Sequence, residues 1–329
     1  MPPIPPAYST LWTVKRLKIW ASASPTYSPP SRQTSAVGFF IMWLLMTLLS
    51  ALFSSLVIFL IKSVVKRTDS DVVSAMVSFV VLVFSWIAAY IAGSQSTVTH
   101  LSNNEIIFLV LSGLSIGISW IFFYKSLAIA TISKATPLYS LKVFFSIISS
   151  IVIFNVTENI VMNIVLSILL LCGVLIICKN DNFNSKKEYS TFLISVFLYA
   201  FFINLSVVLS EYGATNVENN LANSIKICVV LVYTWLIVFI KDKRQLVFNI
   251  RKVELIHIFI IGLFIVGSYF CFYNAIKYDY DNVVVLINRL SFLISILLAT
   301  IFLKEKPTIR DIMGYFIITV AFILIAVYC

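Results

Sequence analysis

Charge is scarce in this sequence. Lys, Arg, Asp and Glu together make up 12% of its 329 residues, about half the share of a soluble domain, which excludes an ordinary globular enzyme. Glycine and proline number nine each, too few for a collagen-like or low-complexity chain. The five cysteines (Cys172, Cys178, Cys228, Cys271, Cys329) show no CxxC spacing and fall in or at the end of apolar runs, so disulfide and zinc readings are both poor. Acidic residues are absent before Asp69, and none lies in the interior of an apolar run; Glu158, Glu211, Glu254 and Glu305 all sit at run ends. Proton-driven antiport of cationic drugs, which depends on a central carboxylate, is disfavoured.

What is abundant is apolar. Hydrophobic residues make up 60% of the chain and aromatics 15%, with 27 Phe, and the mean hydropathy is +1.00. The formal charge of +10 comes from Lys and Arg in short clusters between apolar runs. Such clusters flank membrane spans rather than forming a nucleic-acid face, so the partners implied are a lipid bilayer and no nucleic acid.

Residues 1–35 form a Pro- and Ser-rich tail with Lys15, Arg16, Lys18 and Arg32. It has no core of its own and is expected to be disordered. It lacks the apolar segment of a secretory signal; a transit peptide fits weakly, and a bland extension fits better.

Beyond it lie ten apolar runs, each near the length that crosses a hydrocarbon core. They are Ala36 to Ile61, Val72 to Ala92, Ile106 to Tyr124, Ala135 to Phe154, Ile160 to Cys178, Thr191 to Leu209, Leu221 to Ile240, Glu254 to Tyr273, Asn282 to Leu303 and Thr308 to Tyr328. Short connections leave no room for a soluble domain between them.

The chain repeats itself. A gapless shift of 149 positions lays Val80 to Trp86 on Val229 to Trp235, Glu105 on Glu254, Gly113 and Leu114 on Gly262 and Leu263, Ser119 on Ser268, and Phe123 and Tyr124 on Phe272 and Tyr273. The units expected are a first five-helix repeat over 36–180 and a second over 188–329. Because five is odd, the second copy enters the membrane in the opposite sense. The fold class is therefore all-α and integral to the membrane, with ten transmembrane helices as two inverted five-helix repeats. In secondary transporters that arrangement places substrate between the halves near the bilayer midplane.

Basic residues vote on orientation. The odd-numbered loops hold Lys62, Lys66, Arg67, Lys125, Lys134, Lys179, Lys186, Lys187, Lys241, Lys243, Arg244, Arg251, Lys252, Lys304, Lys306 and Arg310, and the even-numbered loops hold Lys277. This puts the odd loops in the cytoplasm and both termini outside, although the basic tail votes the other way.

Ser112-Gly113-Leu114, then Ser119 through Ala128, then Pro137 resemble the EamA family of the drug/metabolite transporter superfamily. In the second copy Asn288-Arg289-Leu290-Ser291, then Phe302 through Thr308 leading to Gly314, resemble that family's motifs at the ninth helix and its end. The resemblance implies ten helices, a central cavity lined largely by helices 3, 4, 8 and 9, and transport of small metabolites. The first copy departs from it. Asn155-Val156-Thr157-Glu158 stands where a Gly-Glu pair is expected, and Ser140 stands opposite Arg289, with Lys142 two positions along.

An ionisable group inside a span costs at least ~2.5–3.5 kcal/mol, so each needs a partner or a task. Arg289, Lys142 and Lys226 are the three candidates. Arg289 and Lys142 occupy nearly equivalent places in the two copies, which an inverted two-fold would bring to opposite sides of one cavity. There they would grip a carboxylate or phosphate, Arg289 as a planar fork and Lys142 as a point charge, with Asn288 and Tyr139 orienting the ligand. Snorkelling to the headgroups is the alternative. Trp120, Tyr124, Tyr269 and Tyr273 line the cavity or else belong to an interfacial belt. Asn204 and Asn223 fit hydrogen bonds between helices as well as ligand contact. Gly113 and Gly117 mark close helix packing. Lys62 and its repeat partner Glu211 sit at span ends, where solvated charges are ordinary.

The function expected is a multi-pass carrier in the cell (inner or plasma) membrane moving a small, anionic or zwitterionic metabolite by alternating access. It needs no cofactor, and a homodimer is compatible with it. The rivals are a flippase for a lipid-linked sugar or phosphate headgroup and, more remotely, a membrane-embedded enzyme, for which His100 and His257 offer no catalytic cluster.

Overall fold

A computed structural model of the chain describes residues 36–94, 98, 101–155, 160–178, 183, 185–276 and 281–328. The tail, with its expected disorder, lies outside the described residues, as do His100, Glu158, Lys179, Lys277 and Cys329. The described residues form thirteen helices: α1 (Ala36–Val65), α2 (Ser70–Ile91), α3 (Asn103–Ile129), α4 (Ile132–Leu138), α5 (Leu141–Val152), α6 (Ile160–Ile177), α7 (Lys186–Gly213), α8 (Asn219–Ile240), α9 (Arg244–Phe248), α10 (Lys252–Ile276), α11 (Asp281–Arg289), α12 (Ser291–Phe302) and α13 (Ile309–Tyr328). Ten spans among them are long and apolar enough to cross a membrane. Eight are single helices, but the fourth is α4 followed by α5 and the ninth is α11 followed by α12.

In lipid a helix must satisfy its own terminal backbone groups, and the repeat does this twice over. The Asp69 carboxylate accepts from the N–H of Asp71 (3.0 Å) and Val72 (3.4 Å) at the start of α2. At the position related by the repeat, Glu218 accepts from Asn220 (2.8 Å) and Leu221 (3.1 Å) at the start of α8. Ser102 and Glu105 cap α3 reciprocally. Glu254 reaches back in the same way to the N–H of Arg251 (3.4 Å) before α10.

Packing crosses between the copies. The third span lies mainly against the sixth, and the eighth against the first. Without a hydrophobic force between helices in lipid, such faces rely on small residues and hydroxyl bonds. The Ser112 hydroxyl bonds to those of Ser206 (2.7 Å) and Ser210 (2.9 Å), and Ser268 bonds to Ser54 (2.7 Å). Gly113 packs on Lys226 and Val229, and Gly262 on Val80. Since Val80 and Val229 are themselves repeat partners, one contact is the image of the other, and the expected close packing at Gly113 is present. Gly117 packs in the same way, on Tyr233.

The odd-numbered loops gather at one end. Lys241 reaches Asp71 (2.8 Å), and Lys243 reaches Asp69 (2.7 Å) and Asp71 (2.6 Å). Thr68 donates to Glu254 (3.0 Å), and the Lys134 ammonium stands 5.6 Å from the Phe183 ring centroid. At the opposite end Ser94 donates to Glu218 (2.6 Å).

Candidate functional site

Pro137, near the start of the fourth span, fits either the first turn of a helix or a short broken segment, and the structure shows the break. Proline has no N–H to give to the carbonyl four residues back and crowds the preceding turn. The chain tightens there into bonds of the i to i−3 type: Tyr139 to Thr136 (3.2 Å), Ser140 to Pro137 (3.0 Å), Lys142 to Tyr139 (3.2 Å) and Val143 to Ser140 (2.8 Å). The ninth span steps at Leu290, within two residues of the position the repeat predicts. There the Ser291 carbonyl accepts from the Ser55 hydroxyl (2.8 Å). Both steps lie part-way through their spans, and the expected ligand residues cluster around them.

Lys142 sits at the centre of the fourth span and is exposed. Among the described residues its ammonium makes no hydrogen bond and no ion pair, and it lies within electrostatic reach of Arg289. Arg289 ends α11 with its guanidinium carbon 5.8 Å from the Phe322 ring centroid. Lys226, two turns into α8, stands apart from this pair, within reach of Glu211 instead.

Aromatic groups fill the space beside the step. Tyr139 is buried, its hydroxyl bonded to that of Ser126 (2.8 Å). Its ring centroid lies 4.9 Å from that of Phe123 and 4.7 Å from that of Tyr199. Trp120 and Tyr124 are buried with centroids 6.1 Å apart. Their repeat partners Tyr269 and Tyr273 stack at 6.2 Å, and Tyr269 keeps 38% of its surface exposed. Tyr269 lies within electrostatic reach of Tyr124, Tyr199 and Tyr273, so rings from both halves share one region.

Asn288 has a different neighbour. Its amide donates to the Ser50 hydroxyl (2.8 Å). Under the 149-residue shift Asn288 matches Tyr139 and Ser50 matches Tyr199. The same pair of positions therefore meets twice, each time across the two copies, as an amide on a hydroxyl at one crossing and ring on ring at the other. Two buried hydroxyls, Tyr124 Oη and Ser140 Oγ, have no hydrogen-bond partner among the described residues, an expensive state for a buried polar group.

Residues 41–179 and 190–327 match the EamA-like transporter family, once in each repeat. The chain belongs to that family. Among solved structures, one described only as "Crystal structure of protein" is similar over 88% of this chain and 97% of its own, with a TM-score of 0.56 and 15% identity. That likeness concerns the fold alone. No curated protein matches the chain. As an EamA-like transporter it is a multi-pass membrane protein, and its two matched stretches account for the repeat.

Sequence reasoning missed two things in this transporter. Tyr199 escaped because its repeat partner is a serine, so comparing the copies drew no attention to it. Lys62, read as an ordinary solvated charge at a span end, and Glu305, noted at a run end, are engaged at the junction of α3 and α4. Lys62 is 4% exposed and donates to the carbonyls of Leu127 (2.5 Å) and Ala130 (2.7 Å). Glu305 accepts from the N–H of Ile132 (3.1 Å) and Ser133 (3.0 Å) and from the Ser133 hydroxyl (2.8 Å). A cation on the C-terminus of one helix and an anion on the N-terminus of the next both complement the backbone dipoles. The spacing signal was there: the connection between the third and fourth helices is too short to cap itself.

Proposed function

We propose that this EamA-like transporter moves a small anionic or zwitterionic metabolite across the bilayer by alternating access, with the acidic group held between Lys142 and Arg289. Lys142 carries the reading: an exposed ammonium at mid-span, unpaired among the described residues and within reach of a second cation. A charge at that depth costs at least ~2.5–3.5 kcal/mol, and like charges repel. A carboxylate or phosphate between the two groups offsets both terms, with the Arg289 fork setting its orientation. Tyr124 Oη and Ser140 Oγ are free to bond the ligand's polar atoms, and the rings around Tyr139 and Tyr199 offer it an apolar wall. The carrier works as a multi-pass protein of the plasma membrane, with its basic loops in the cytoplasm.

The test is uptake into proteoliposomes by Lys142→Gln and Arg289→Gln. Ligands are first chosen by thermal-shift screening of purified protein against amino acids, sugar phosphates and nucleotides. Each variant is expected to lose about tenfold or more of its uptake at low substrate, the share of one charge-assisted contact. Unchanged uptake in well-folded variants refutes the reading.

A groove elsewhere favours the flippase as a second reading. About 570 Å³ in volume, it runs between α6 and α13 and is lined by Leu175, Ile176, Cys178, Tyr189, Arg310 and Met313. Retention of a phospholipid there in native mass spectrometry, lost in Arg310→Gln, would support it.

A further inference from the structure

Ser133, in the first turn of α4, is held from three directions by the other half of the protein. Its N–H (3.0 Å) and hydroxyl (2.8 Å) donate to Glu305, which follows the ninth span. Its carbonyl accepts from the Tyr315 hydroxyl of the tenth span (2.7 Å). The last bond exists because of Pro137. In a regular helix the Ser133 carbonyl would be taken by the N–H four residues on, and proline has none to offer. Glu305 and Tyr315 belong to the second copy and Ser133 to the first, so these contacts join the two halves at the end where the basic loops lie. Lys62, by contrast, reaches carbonyls of its own copy. It moves with the first half and fixes the junction that the second half grips.

Under the gapless shift the opposite end does not repeat these side chains. The 149-residue shift carries Ser133 to Asn282, Pro137 to Leu286, Glu305 to Val156, Tyr315 to Leu166 and Lys62 to Glu211. A leucine at 286 keeps its N–H, and neither Val156 nor Leu166 can replace the carboxylate or phenol. A glutamate at 211 cannot donate to carbonyls as the Lys62 ammonium does. The alternating ends of an inverted repeat are alike by symmetry, but among the described residues the grip of Glu305 and Tyr315 on Ser133 is found at one end, and the other end shows the Ser94 to Glu218 bond between the copies.

We infer that Glu305 and Tyr315, seated on Ser133, are the gate at the basic-loop end of this carrier and bias its resting state toward closure there. Opening that end parts α4 from Glu305 and α13, so these bonds must break, while among the described residues no equivalent set holds the other end. The inference rests on the alternating-access reading of the site but not on the identity of the cargo. It makes Glu305 and Tyr315 residues that position the two halves rather than residues that touch cargo.

The experiment reads accessibility without substrate, in full-length protein reconstituted in liposomes with its cysteines replaced. One reporter is Thr136→Cys, buried just inside the gate. The other is Val285→Cys, its repeat counterpart toward the opposite end. Labelling by a membrane-impermeant maleimide is compared between the parent, Tyr315→Phe, Glu305→Gln and the double variant. Tyr315→Phe removes one hydroxyl and keeps the ring, so it serves even where Glu305→Gln folds poorly. The expected result is reciprocal: Thr136→Cys labels about tenfold faster, as loss of charge-assisted bonds shifts the equilibrium, and Val285→Cys labels more slowly. Faster labelling at both sites means general loosening and overturns the gate, as does no change at either. The reciprocity does not depend on the anion site, so unchanged uptake in Lys142→Gln together with reciprocal labelling would refute the anion clamp and leave the gate standing.

Discussion

The mirrored glycine contacts permit a stability prediction in which the coupling differs between the two sites. A Cβ added at Gly262 would lie 2.4 Å from Val80 Cγ1 and 2.7 Å from Val80 Cβ. Neither atom sits at the end of a flexible chain, so α2 and α10 must move apart, and overpacking of this kind costs ~1–3 kcal/mol. Val80→Ala removes the nearer of the two atoms, so part of that cost is relieved in Gly262→Ala/Val80→Ala. At the mirror site a Cβ on Gly113 would meet the Lys226 carbonyl oxygen and Val229 Cβ, both at 2.8 Å. Shortening Val229 to Ala leaves both atoms in place, and no relief follows. A double-mutant cycle by reversible unfolding in mixed detergent micelles should give a favourable coupling of about 1 kcal/mol for the 262/80 pair and near zero for 113/229. Equal coupling at both sites, or no cost to Gly262→Ala, would refute the claim that contact geometry and not helix identity sets the penalty.

Three further outcomes follow from single side chains. Lys62→Met strips the two carbonyls at the end of α3 of their donor and should cost about 2–3 kcal/mol in the same unfolding assay, with partial recovery in Lys62→Arg; an indifferent protein would mean that water reaches those carbonyls. Tyr124→Phe and Ser140→Ala each remove a hydroxyl without a protein partner, so stability should hold while substrate affinity falls, which ligand-induced thermal shifts can separate. Burial disfavours the charge of Lys243, but its bonds to Asp69 and Asp71 outweigh this and raise its pKa above the usual 10.5. Its contribution is thus complete below about pH 10.5 and disappears as pH climbs through the folded value. Unfolding free energies measured from pH 7 to 11 in the parent and Lys243→Met should differ by a constant amount until the alkaline end, and a difference that fades from neutrality upward would contradict this assignment.

The ten spans were legible because length and hydropathy are all that a bilayer crossing demands, and the repeat was legible because Glu105, Gly113, Phe123 and Tyr124 kept their identities. The three mid-span cations stood out because lipid makes them costly. The steps at Tyr139 and Leu290 were hidden. A tightened turn changes which backbone groups are paired without changing how apolar the segment is, so only Pro137 hinted at it. Lys62 and Glu305 were misjudged for a related reason: a charge at the end of a span looks the same in sequence whether it meets water or the open end of a neighbouring helix.

The pairing of Asn288 with Ser50 and of Tyr139 with Tyr199 carries a consequence for how a duplicated carrier changes over generations. One crossing between the copies can trade hydrogen bonds for rings while the Gly113 and Gly262 contacts that hold the scaffold stay matched. On the proposed reading of the site, selectivity then drifts at one of the two crossings at a time, and replacing Tyr139 and Tyr199 together would be a shorter route to a new cargo than remaking both crossings.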